Sequence, residues 1–227
     1  MLDIHQWVIL LLVSAFVAQD TTAGPQLLVS EPLVAGPLAG WILGDFGVGL
    51  VIGIAAQLIW SGAVPAGSVR FLDVNVGTVC VVVAAVVVGG SSLAMAASLV
   101  WLVPVGLLGS VLTEANRRIN GQIVASVRPE SDGSRLIACR HLAGWAIAGV
   151  RGIVTAAIGV PLGVVVVRAL SLWAEPYVNP VLVWSGVFGA AAGVAVGVTW
   201  RYSRGRAAAL GALGAFGLWL AGVRPGG

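Results

Sequence analysis

Long apolar runs, cut by glycine, proline and small polar clusters, make up most of the chain. The first is Ile4–Ala18, followed by Pro32–Leu43 and Phe46–Trp60. A polar-flecked stretch, Ser61–Gly77, leads to Thr78–Val88 and Ala94–Leu112, which are parted by "GGSS" at 89–92. A hydrophilic segment occupies 113–141. Beyond it lie Leu142–Val167, a connection at 168–180, Val181–Thr199, the basic "WRYSRGR" at 200–206, and Ala207–Val223. A helix that crosses a bilayer needs about 20 apolar residues, and Pro32–Leu43 and Thr78–Val88 fall short of that. Short apolar pieces bounded by Gly and Pro point to broken helices and re-entrant hairpins. Such backbone is tolerated at membrane depth only where protein or a watery cavity covers it. The pattern predicts an all-α polytopic membrane protein with discontinuous transmembrane helices and re-entrant hairpins. Ordinary spanning helices with blurred ends are the plainer alternative.

Composition strengthens the membrane assignment. Hydrophobic residues make up 59% of the 227 and charged residues only 9%, against about 25% charged in a soluble domain. So few charges cannot cover a water-facing surface. The 32 glycines suit helices that pack closely or break within a membrane. All twelve basic residues are arginine, so no lysine chemistry is available. The two cysteines, Cys80 and Cys139, have no metal-type spacing and imply no disulfide framework. "WVILLLVSAFVA" at 7–18 has the length of a signal-peptide core, but no Lys or Arg precedes it. It is expected to remain as an uncleaved membrane segment.

Charge placement sets topology. Residues 113–141 carry Arg117, Arg118, Arg128, Arg135 and Arg140, and 200–206 carry Arg201, Arg204 and Arg206. Both segments are expected on the cytoplasmic side, with 168–180 outside. That alternation fits one span on each side of 168–180, whereas the first half has too few charges to orient. Inner-leaflet topology accounts for the arginines, so no nucleic acid is implied.

No soluble-enzyme motif is present: no GxxxxGK[ST], no HExxH and no G-x-S-x-G. No catalytic residue, metal site or cofactor is expected. The intramembrane ionisable residues are the better candidates, because their cost demands a reason. Asp45 is the one charged side chain between Leu33 and Val69. Arg151 lies deep in "AIAGVRGIVTAAIGVP" and cannot deprotonate, so it needs an acceptor, either a buried carboxylate or helix-end carbonyls. It reads equally as an interhelical pin or as a substrate or gate contact. His141 follows Arg140 at the end of the basic segment and reads as an interfacial histidine. Residues 55–77 gather Gln57, Trp60, Ser61, Arg70, Asp73 and Asn75 in a Gly/Pro-rich context. Amides and carboxylates beside an indole face are what a sugar site requires, and they would equally suit a polar interfacial loop.

"EPLVAGPLAGWILGDFGVGLVIGIAAQLIWSGAVPAG" at 31–67 resembles the first half of the IIC membrane subunit of mannose/fructose/sorbose-family sugar phosphotransferase systems. The resemblance rests on Pro32, then Leu43-Gly44-Asp45, then the glycine-rich run Gly49 to Gly53, and Gln57 before Leu58-Ile59. "RHLAGWAIAGVRGIVTAAIGVP" at 140–161 is similar to the family's His…Arg…Pro segment, on His141, Arg151 and Pro161. The chain departs from the family pattern at Leu72, Pro65 and Arg70.

This resemblance implies a single IIC-type membrane domain over 1–227, with a hairpin-rich half at 1–112, a cytoplasmic segment at 113–141 and helices at 142–227. It implies multi-pass insertion in a bacterial inner membrane and alternating access for a sugar, a hexose in the first instance. The implied partners are a IID membrane subunit, cytoplasmic IIA/IIB phosphocarriers that phosphorylate the sugar, and further copies that make a trimer of the IIC–IID pair. Substrate contacts would come from Gln57, Trp60, Ser61, Asp73 and Asn75, with Gln57 and Asp73 foremost. Asp45, Arg151 and His141 would have structural or gating roles. Gly44 then reads as a left-handed helix terminator and Asp45 as the cap of the next helix. A divergent transporter, or a scaffold subunit not coupled to phosphoryl transfer and working through 113–141, is the alternative.

Overall fold

A computed structural model describes residues 2–24, 26–60, 72–126 and 133–176, together with 179, 184, 187 and 189. Ser61, Pro65, Arg70, the basic 200–206 segment and the expected spans Val181–Thr199 (but for single positions) and Ala207–Val223 lie outside the described residues. Among those described, the order is α1 (Ile4–Thr22), α2 (Pro32–Ile42), α3 (Phe46–Trp60), α4 (Val74–Val88), α5 (Ser92–Ala125) and α6 (Ser134–Ala174), with no strand. The protein is all-helical and membrane-embedded, and three helices too short to cross, α2, α3 and α4, stand between the long α1 and the long α5 and α6.

α1, α5 and α6 are long and apolar enough to span. Each turns an apolar face outward: Ile4, Val8, Leu12 and Phe16 on α1, Val100, Leu107 and Val111 on α5, Val150, Leu162 and Val165 on α6. In a bilayer these faces meet lipid or partner subunits. The short α4 has the opposite character. Val76, Val79 and Cys80 through Ala85 are fully buried, and the helix packs against every other one. At 15 residues it is about 22 Å long, less than the roughly 30 Å of hydrocarbon.

α2 and α3 form the hairpin that the sequence pattern anticipates. Gly36 and Gly40 of α2 face Gly49 and Gly53 of α3. A Cβ added to Gly36 would sit 2.6 Å from the Gly49 carbonyl oxygen, and one on Gly53 2.6 Å from the Pro32 carbonyl oxygen. Hydrophobicity does not pull helices together in lipid, so backbone contact of this kind does. At the tip, Gly44 takes φ +81°, the conformation glycine adopts without a Cβ clash. The Asp45 amide donates to Gly40 O (2.8 Å), and its Oδ1 accepts from the Val48 amide (3.1 Å). Asp45 therefore caps α3 in a turn. The turn lies against the α4–α5 connection, where a Cβ on Gly90 would stand 3.1 Å from Asp45 Oδ2.

A stripe of small residues on α6 serves the long helices in the same way. Gly149 and Gly152 receive Gln19 and Ser14 of α1, Gly159 receives Val105 and Cys80, and Gly163 receives Trp101. This register makes both α1 and α5 antiparallel to α6.

Several boundaries differ from the hydropathy pattern. α4 starts at Val74 rather than Thr78, because Asp73 caps it through the Val76 amide. α5 continues past Leu112 to Ala125, and α6 begins before Leu142, at Ser134. Hydrophilicity ends the apolar signal without ending the helix: "TEANRRINGQIVA" contains no proline, and Glu114 pairs with Arg118 one turn on (3.3 Å). The 113–141 segment is thus largely a helical extension of two spans.

Replacing Gly49 with Leu should force α2 and α3 apart and destabilise the protein by about 3 kcal/mol or more. A lower thermal unfolding midpoint in detergent, with Gly121→Leu (open space around its Cβ) as a near-neutral control, would register it.

Candidate functional site

A partly open polar cleft of about 380 Å³ lies among the ends of the short helices. Its volume falls within the range of small-molecule sites, about 300–1,000 Å³. Asp20 and Thr21 at the end of α1, Ser30 and Glu31 ahead of α2, and Gln57 and Trp60 at the end of α3 line it. Asp73 and Asn75 at the start of α4, Thr113, Glu114 and Arg117 on α5, and Arg151 on α6 complete the wall.

The floor is an ion pair. Arg151 is 4% exposed, and its Nη1 donates to Asp73 Oδ2. The same nitrogen donates to Thr113 Oγ1 (2.7 Å), and Nη2 donates to the Ala18 carbonyl (3.0 Å). The guanidinium thus has both kinds of acceptor its burial requires, a carboxylate and a helix carbonyl. Asp73 is held in turn: its amide donates to Gly106 O (3.0 Å), and its Oδ1 caps α4 at the Val76 amide (3.4 Å). Removing water strengthens each of these bonds and raises the penalty for leaving one unmade.

The upper wall is built from short-range polar contacts. Gln57 Nε2 donates to Glu31 Oε2 (2.9 Å), and Gln57 Oε1 accepts from the Leu33 amide (3.2 Å). Asn75 Nδ2 donates to Thr21 Oγ1 (3.2 Å). Asp20, 1% exposed, accepts from the amides of Leu27 (2.6 Å) and Ser30 (3.0 Å). It thereby holds a connection in which Gln26 (φ 53°) and Leu28 (φ 62°) are left-handed, a conformation costly for residues with a Cβ. Gln26 and Leu28 also face the cleft.

Four of the five expected substrate contacts, Gln57, Trp60, Asp73 and Asn75, therefore share one cleft, and Ser61 lies outside the described residues. Arg151 joins them. Asp45 does not: it sits at the hairpin tip, at the other end of the short helices. His141 is exposed on α6 and is not part of the lining. Sequence reasoning missed Asp20, Glu31, Thr113, Glu114 and Arg117. Glu31 had a signal, since it opens the stretch that carries the family motif. Asp20 had one too, as an acid in the last turn of an apolar helix.

The family model described as the PTS system sorbose-specific IIC component matches residues 4–216. "Putative N-acetylgalactosamine permease IIC component 2" of Escherichia coli (strain K12) is 37% identical over 49 residues, which are 22% of this chain and 37% of that protein. The aligned part thus spans little more than a third of the relative. Two solved structures share the fold. One, described only as a membrane protein, has a TM-score of 0.63 at 18% identity and covers 97% of this chain and 96% of its own. The other, the mannose transporter ManYZ in complex with microcin E492, has a TM-score of 0.64 at 20% identity, covering 100% of this chain and 89% of that one.

Replacing Arg151 by Met should leave Asp73 buried without a counter-charge and cost about 3–5 kcal/mol. Thermal unfolding of the variant in detergent against wild type measures the loss.

Proposed function

Because this chain belongs to the family of sorbose-specific IIC components of the phosphotransferase system, we propose that it is the sugar-translocating membrane subunit of such a system, with the cleft as its transport site. The observation that carries the reading is the lining: paired donors and acceptors at Gln57–Glu31 and Asn75–Thr21, with the Trp60 indole in the same wall. A hexose offers hydroxyls that both donate and accept, and apolar ring faces that pack on aromatic rings. Gln57 and Asn75 supply amides for those hydroxyls, and Glu31 an acceptor.

Direction follows from charge. Glu114 and Arg117 line the cleft and belong to the arginine-rich end of α5, which the positive-inside rule puts in the cytoplasm. The cleft would then open inward, where a soluble IIB phosphocarrier can reach the sugar. The chain carries the sugar and leaves phosphoryl chemistry to that partner. A IID membrane subunit, assembly into trimers of the pair and residence in a bacterial inner membrane belong to the same proposal. In translocation the α2–α3 hairpin would shift against the scaffold of α1, α5 and α6.

Uptake of labelled mannose, sorbose, glucose and N-acetylgalactosamine tests the reading. Cells lacking their own sugar permeases would express the chain with and without a candidate IID membrane subunit. At least one sugar should enter, and Gln57→Ala should cut its uptake tenfold or more with membrane insertion unchanged. Full uptake by Gln57→Ala removes that residue from the site. Uptake of none of the four sugars, with the partner subunit present, sinks the carrier reading.

A further inference from the structure

Arg151 does more than neutralise a buried carboxylate. Its planar fork reaches three acceptors on three other helices: Ala18 O on α1, Asp73 ahead of α4, and Thr113 on α5. Five fixed donors in one plane impose angles as well as distances, which an ammonium on a flexible stem does not. The consequence is felt in the cleft. Asp73 is the cap of α4, and Asn75 two residues on reaches across to Thr21 at the end of α1. Ala18, the other acceptor, is one turn before Thr21 on the same helix. One guanidinium therefore fixes both sides of the gap that Asn75 bridges. Asp73 has little freedom to move otherwise, because its Cβ lies against Gly109, where an added Cβ would come within 2.7 Å of it.

Both Asp73 oxygens are engaged, one by Arg151 and one by the Val76 amide. Asp73, which also carries the charge pair with Arg151, is thus better placed to hold the wall than to bind a solute, and the polar lining beyond it includes Asn75, Gln57 and Glu31. We propose that Arg151 is a positioning residue of the transport site, acting through Asp73 to set the first turn of α4 and the Asn75 amide at the distance from α1 that the sugar requires. This rests on the reading of the cleft as the sugar site.

A purely structural pin makes a different forecast. Replacing a buried ion pair by apolar residues of similar volume is often neutral for stability, whereas breaking one partner is not. Full-length protein in nanodiscs would be compared as wild type, Arg151→Met, Asp73→Leu/Arg151→Met, Arg151→Lys, Asn75→Ala and Arg151→Lys/Asn75→Ala. Readouts are thermal unfolding and equilibrium binding of the four labelled sugars named above. The double apolar variant should recover part of the midpoint lost by Arg151→Met, its uncapped Val76 amide keeping it below wild type, yet bind the sugar at least tenfold more weakly than wild type. Arg151→Lys keeps a charge for Asp73, so it should fold, and it should also lose tenfold. Its effect should not add to that of Asn75→Ala, because both act on one contact.

Wild-type affinity in the double apolar variant, or in a folded Arg151→Lys, overturns the positioning role and leaves the sugar site standing. Full additivity of Arg151→Lys with Asn75→Ala overturns the route through Asn75. A wild type that binds none of the four sugars overturns the site reading, and this inference with it.

Discussion

A guanidinium inside a membrane protein cannot shed its charge, so the fold must bring acceptors to it. Arg151 is the point where that constraint is met, and much of the architecture follows. Its acceptors come from the end of α1, the start of α4 and the inner third of α5, so these must converge beside α6. The α6 stripe of Gly149, Gly152, Gly159 and Gly163 lets them come close enough. Small residues and the ion pair are therefore two parts of one solution. Glycine supplies the approach, and the charge fixes the register along the helices.

The same pair explains how α4 can start in the interior. A helix terminus leaves its first amides without intrahelical partners, and in hydrocarbon each would cost several kcal/mol. Asp73 covers the Val76 amide and ties its own amide to Gly106 O. Its remaining carboxylate oxygen would then be a buried negative charge, which Arg151 cancels. The uncapped side of the α4 terminus opens into the cleft. A polar space is thus the local consequence of ending a helix at depth, and the candidate site occupies it.

The legible parts of the fold were those written in local chemistry. Gly44-Asp45 specifies a left-handed stop followed by a cap, and this holds wherever the hairpin sits, so the α2 and α3 bounds emerged to within one residue. The need of Arg151 for a carboxylate or a helix carbonyl followed from its protonation alone. Which carboxylate it was did not, because Asp73 and Arg151 meet only through the register of α4, α5 and α6. Asp20 and Glu31 were hidden for a related reason. Each looks like a polar residue at a helix boundary, and only the turn of the 24–31 connection points them into the cleft. The 113–141 segment misled differently. Hydropathy measures where a helix leaves the membrane, not where it ends.

Hydrogen bonding also sorts the molecule into two groups of contacts. Gln57 bonds to Glu31 and the Leu33 amide, and Asp45 to the Val48 amide and Gly40 O, all within the α2–α3 hairpin. The hairpin packs against α4, and its Ala35, Ala39, Ile52 and Ala56 are fully buried. A displacement of the hairpin as one body would leave those internal bonds intact. A shift within the α1–α4–α5–α6 assembly would instead strip acceptors from the buried Arg151 guanidinium. On the proposed reading, Gln57 and Glu31 travel with the hairpin while Asn75 stays with the scaffold. A solute held between them would be gripped or released by one displacement, which is what alternating access requires of the two walls of a transport site.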